Sequence, residues 1–333
     1  MINTFLTRIG SIFDARFWVA FWAPAFAAVV LGGVIWAMQS GFSVVAEQWD
    51  AMTATQQVMA GLASLLLITV VAYILQAMDI WIVRQYEGYW PWWLSWFQTK
   101  AEDAERAAKA RYVARNDGEA WPAFPKADDQ VRATGFGNCI RAAEEYPSVI
   151  YRIDAIVWWP RLVAVMPAEM RTRVDAAFTP VVALLNLCTI LWLWALIGGA
   201  WTLLSDTRAW IFAVVFFGGL LVAWIAYRGA VAAAANYAGA IRVAFDCYRR
   251  DLLKQLSMPL PDNLQAEGEL WHTLTQLHAF ANWPWEGEGD RAGKPFPFDN
   301  FKEAAPPAPP PVYTVRIVPS GHNRRPSRRP YNG

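Results

Sequence analysis

The chain has 333 residues, of which 56% are apolar and 17% charged, with a formal net charge of +1 and 20 tryptophans. Soluble domains carry about 45–50% apolar and about 25% charged residues, so this balance argues against an ordinary soluble globular protein. Near-neutral charge supplies no bulk attraction for a polyanion and no nucleic-acid partner is expected; Cys139, Cys188 and Cys247 form no Cys-x-x-Cys pair, which argues against a disulfide framework or a thiolate metal site.

In chain order, Phe17 to Met38 is the first stretch apolar enough to cross a bilayer, which takes about 20 residues. It is too long for the core of a signal peptide and no small-residue cleavage site follows it, so it reads as a span. Pro24 is placed to kink it. The second span runs from Val58 to Met78, the third from Pro180 to Leu204 and the fourth from Ala209 to Tyr227. Pro180 suits a first helical turn. Tryptophan favours membrane interfaces, because its ring is apolar while its N–H seeks water or a headgroup.

Loop charge sets the orientation. Gln39 to Gln57 holds Glu47 and Asp50 but no Lys or Arg, and the very short link Ser205 to Arg208 carries one Arg, whereas the other flanks carry Arg8, Arg16, Arg84, Lys100, Arg171, Arg173 and Arg228. Basic flanks stay inside, so the N-terminus, the middle segment and the C-terminus are expected in the cytoplasm. The predicted architecture is an all-α membrane protein with two transmembrane hairpins, residues 1–83 and 180–257, joined by a cytoplasmic helical insertion, residues 84–179. Residues 258–303 form a further helix and an irregular segment, and residues 304–333 a disordered Pro- and Arg-rich tail.

Within the insertion, Tyr86 to Phe97 is an aromatic belt and Gln98 to Asn116 a solvated helix. That helix is supported by the acid-before-base pairs Glu102–Arg106 and Glu105–Lys109. Gly135 to Phe178 reads as short helices broken at Pro147, Pro160 and Pro167, with Trp158, Trp159 and Arg161 suiting a turn against the headgroups. Beyond span four no proline or strong turn signal appears until Met258-Pro259, so the helix is expected to extend into the cytoplasm, to about 70 Å in all. A helix over Asn263 to Ala281 follows.

Candidate chemistry is sparse. Asp79 adjoins the uncharged core of span two, and the span length places it at headgroup level, not in the hydrocarbon. Arg228, Asn236, Arg242, Asp246, Arg249 and Arg250 follow one another along the extended fourth helix. They suit a polar vestibule in a ring of subunits or a partner surface, and pairing of Arg242 with Asp246 on a solvated face is the simpler alternative. Arg324, Arg325, Arg328 and Arg329 are a candidate contact for anionic lipid. Gly32-Gly33, Gly198-Gly199 and Gly218-Gly219 permit close helix approach, within one subunit or between copies. His272 and His278 lack the spacing of a helical metal site, and no phosphate-loop or nucleophile-elbow motif is present, so neither a catalytic residue, a metal nor a cofactor is assigned.

Phe136-Gly137-Asn138, Arg141-Ala142-Ala143-Glu144 with Tyr146-Pro147, and Asp154 with Trp159-Pro160-Arg161-Leu162 resemble a segment of a family of bacterial multi-pass membrane proteins without an established activity. Phe245-Asp246 and Tyr248-Arg249 in the long inner helix are also similar to that family. The resemblance covers about half of the chain and implies a bacterial inner membrane, while bringing no activity.

The expected function is a membrane-anchored scaffold or sensor whose cytoplasmic helices bind a partner. The alternative is a homo-oligomeric channel or pore lined by the fourth helix, and a membrane-embedded enzyme is less favoured. The partners implied are the lipid bilayer, a further copy of the chain and a cytoplasmic protein.

Overall fold

A computed structural model describes residues 15–116, 118, 120–205 and 209–280. The tail, with Arg324, Arg325, Arg328 and Arg329, lies outside the described residues. Four helices are long and apolar enough to span a membrane: α1 (Trp18–Ser40), α3 (Ala54–Ala77), α8 (Ala168–Leu204) and α9 (Ala209–Gln255). Between and after them come α2 (Phe42–Asp50), α4 (Asp79–Tyr86), α5 (Ser95–Arg115), α6 (Gly135–Tyr151), α7 (Ala155–Val165) and α10 (Leu264–Phe280). The chain is all-α: four long apolar helices flank a large helical insertion, and a helical extension follows.

Helix α3 starts where its sequence says it must. Thr53 accepts a bond from the Gln56 amide while the Gln56 side chain returns to the Thr53 amide, a capping box that satisfies two end donors. In α1 a π-helical turn, Trp18–Trp22, lies upstream of Pro24. Proline has no N–H to give the Ala20 carbonyl four residues back. The Asn186 amide of α8 supplies it instead at 2.8 Å, from a fully buried position.

Three proline expectations are corrected. Pro180 sits inside α8, which begins at Ala168, and Pro147 and Pro160 sit inside α6 and α7. One lost N–H does not end a helix whose flanks favour it. The break falls instead at Arg152, in the left-handed region at φ 57°, followed by the Asp154 carboxylate, which caps the amides of Ile156 and Val157. Only Pro167, just ahead of α8, marks a boundary as expected.

Two large hydrophobic cores stack along the molecule, and a smaller cluster of Cys188, Leu191, Ala223 and Ala226 joins α8 to α9. The first joins α1, α3, α8 and α9 through Phe17, Phe21, Ile68, Leu75 and Leu185, and reaches Phe136 of α6. The second clamps α7 and α10 onto the far half of α9 through Trp158, Leu162, Phe245, Leu253 and Trp271. Trp158 is therefore not a headgroup residue. It is fully buried, edge-on to Trp271 at 5.0 Å, and its indole donates to Thr275 at 2.8 Å.

Glycines set the helix separations where a side chain would collide. A Cβ at Gly199 would stand 2.9 Å from the Phe216 ring, and one at Gly219 3.0 Å from Ala195. Gly33 and Gly218 meet nothing, so in two of the glycine pairs only one member is used within the subunit.

Candidate functional site

The six polar residues anticipated along α9 do not form one lining. Arg228, Asn236 and Arg250 are exposed, while Arg242 and Arg249 are partly buried. Arg242 and Asp246 make no ion pair. The Asp246 carboxylate instead accepts the hydroxyls of Tyr146 at 3.1 Å and Tyr151 at 2.7 Å, both from α6. Burial, reinforced by the Asp246 carboxylate, pushes both phenols up, which keeps them protonated as donors. Arg242 stacks over the Tyr146 ring at 5.6 Å, with Nε and Nη2 buried and without an acceptor among the described residues.

One turn on, Arg249 lies over the Tyr151 ring at 3.9 Å and donates to Glu267 of α10 at 2.8 Å. The Glu267 side chain is 1% exposed, and Arg250 stands 3.7 Å from its second oxygen. A buried carboxylate needs such partners, since its desolvation otherwise costs several kcal/mol. The sequence marks no partner for Glu267 or for the two tyrosines, because the tyrosine contacts join α6 to α9 across about a hundred residues and the Arg249–Glu267 pair joins two separate helices, 18 residues apart.

A second polar joint holds the insertion. Thr134 caps α6 through the Gly137 amide at 2.9 Å and gives its own hydroxyl proton to the Tyr86 carbonyl. Asn138, fully buried, accepts the Arg132 amide at 2.7 Å and donates to Glu105 of α5 at 3.0 Å. Of the expected pairs along α5, Glu102–Arg106 forms at 3.4 Å. Glu105 and Lys109 do not meet. Lys109, almost buried, turns to Asp128 and to the Lys126 carbonyl. Tertiary partners win here because a buried charge gains more from them than an exposed helix pair returns.

Asp79 faces Arg16 at 3.7 Å, and Arg16 lies over the Phe178 ring at 5.2 Å. The starts of α1 and α4 and the part of α8 around Phe178 therefore share one level. Just beyond it Glu87 and Glu144 line a groove between the two cores. Burial pushes the Glu87 carboxyl up to about 7, the Glu144 charge adds to this, and Arg84 and Arg132 oppose it. Glu87 was not singled out from sequence, where it is one acid inside an aromatic run. Two of the cysteines, Cys139 and Cys188, are buried, and Cys247 is exposed.

The four apolar helices and the attached helical body define a multi-pass α-helical membrane protein. No family model, no curated protein and no solved structure matches the chain.

Proposed function

We propose that this protein is a membrane-anchored scaffold or sensor of a bacterial inner membrane, with its helical body in the cytoplasm and a partner bound there. The observation that carries this reading is the continuity of α9. One helix of 47 residues belongs to both the apolar bundle and the body, with Asp246 and Arg249 committed to fastening α6 and α10 onto it. Two of the polar residues that a pore would use along its wall, Asp246 and Arg249, are spent inside the subunit. Those left outward on the same helix, Asn236, Val243, Cys247 and Arg250, form an exposed stripe suited to a protein partner. The bacterial assignment rests on the resemblance. Its residues hold joints of the body: Asn138 bridges to α5, Asp154 caps α7 and Asp246 takes both tyrosines.

The test is mass measurement of the purified full chain followed by conductance in planar bilayers, together with site-specific photocrosslinking from positions 243 and 250 in cells. The scaffold reading expects no unitary conductance and one defined protein adduct from both positions. Conductance from a ring-shaped oligomer, altered by Arg228→Ala or Asn236→Ala, replaces this reading with the pore.

A further inference from the structure

The groove between the two cores has a volume of about 350 Å³. Trp159 of α7, Phe178 of α8 and Tyr237 and Ile241 of α9 supply its apolar walls, and Glu87 and Glu144 are its charged lining residues. Tyr237 packs against both cores, so the groove opens where they meet. Its Phe178 wall lies under Arg16, the partner of Asp79 at the end of the spans. With the apolar helices in a bilayer, that level is the headgroup region.

The two kinds of lining select one chemistry. An anion is repelled by the carboxylates. A hard cation such as calcium or magnesium takes six or more oxygen ligands and zinc takes about four, whereas this lining offers two carboxylates among aromatic walls. A neutral apolar body has no use for paired carboxylates. An organic cation with an apolar body uses both, through charge on the carboxylates and ring contact on the walls. Glu144 is held by Arg141 at 3.0 Å, whereas Glu87 has no ion pair among the described residues. We propose that this groove binds an amphiphilic ammonium ion, its charge at Glu87 and Glu144 and its apolar body against Trp159, Phe178 and Tyr237.

The charged and titratable neighbours are Arg84 on α4 just ahead of Glu87, Arg132 ahead of α6, Glu144 and Arg141 on α6, Tyr237 on α9, and, at the Phe178 and Tyr237 walls, Arg16 ahead of α1 and Asp175 on α8. The parts of α7 and α8 that line the groove, Trp159, Pro160 and Phe178, add no charge. With Glu87 titrating at about 7, capture of the cation expels a proton and strengthens as pH rises through that value. The ammonium group has two sources, an aminophospholipid headgroup or a free amine. Binding at this groove is independent of whether the body also holds a protein partner.

The test uses the full chain in nanodiscs of a neutral glycolipid, which carries no ammonium group, titrated calorimetrically with octylammonium, octanol and octanoate against protein-free discs. Octylammonium should bind saturably, with the other two probes weaker by about tenfold or more. Glu87→Gln should weaken octylammonium by about tenfold, while Glu169→Gln, exposed on α8, leaves it unchanged. Affinity should be higher at about pH 8.5 than at about pH 5.5, on either side of the Glu87 titration. Competition when phosphatidylethanolamine replaces part of the lipid assigns the site to a headgroup amine, and lack of competition assigns it to a free amine; both uphold the site. Equal binding of all three probes overturns it. So does undiminished octylammonium affinity in folded Glu87→Gln and Glu144→Gln proteins.

Discussion

Asn186 shows how one residue repairs a defect made by another. Pro24 leaves the Ala20 carbonyl without its helical donor inside an apolar bundle, where no water replaces it. The Asn186 amide does so at 2.8 Å. Asn186→Leu should keep the apolar packing and lose that bond, lowering stability in detergent by about 1 kcal/mol, the usual size of an interhelical bond in such a setting. Loss within measurement error in a denaturant titration would show that the carbonyl is satisfied by its own helix. Gly137 makes a sharper case. A Cβ there would stand 2.2 Å from the Glu87 carbonyl, whereas one at Gly135 meets only the Tyr227 hydroxyl at 3.8 Å. Gly137→Ala must move backbone and should cost about 2–3 kcal/mol, while Gly135→Ala should change the melting temperature little. Equal melting temperatures for the two variants would place the close approach elsewhere. The sequence contains Pro24, Asn186 and Gly137 in plain view, but each is half of a contact. Nothing local says that Asn186 meets Ala20, 166 residues earlier.

At the scale of elements, the apolar runs were legible because length and hydropathy need no partner to be read. The four spans fall where the sequence puts them, and α9 continues to Gln255 because nothing in its sequence stops it. Prolines misled for the opposite reason. Their cost is one hydrogen bond, and α6, α7 and α8 continue through Pro147, Pro160 and Pro180 in spite of it. The docking of α10 was not legible, since Trp271 meeting Trp158 and Glu267 meeting Arg249 are both contacts between separate helices. Removing one partner of a buried pair strands the other. Arg249→Met should therefore free α10, costing about 3 kcal/mol and exposing the segment near Leu260 to limited proteolysis. The double variant Arg249→Met with Glu267→Leu should recover most of that loss, because an apolar pair needs no counter-charge. If the double variant is as labile as the single one, the Arg249 stack over Tyr151 holds the joint and the ion pair does not.

For the whole molecule, the proposal that the body faces the cytoplasm rests on the distribution of charge. The contact of Arg16 with Asp79 puts the start of α1 and the end of α3 on the side of the body. Arg84, Lys100, Arg171, Arg173 and Arg228 lie on that same side, outside the apolar stretches. The opposite connection, with α2, carries Glu47 and Asp50 and no basic residue. We propose on this ground that retention of Lys and Arg in the cytoplasm places the body inside. The protein provides its own reporter, since Cys247 is an exposed thiol on the body while Cys139 and Cys188 are buried. A membrane-impermeant maleimide should label Cys247 only after permeabilisation. In a Cys247→Ser background, a cysteine in place of the exposed Ala51 should react in intact cells. The reverse pattern would invert the topology. It would also turn the α9 stripe and the groove behind Glu87 toward the outside, where a cytoplasmic partner could not reach them.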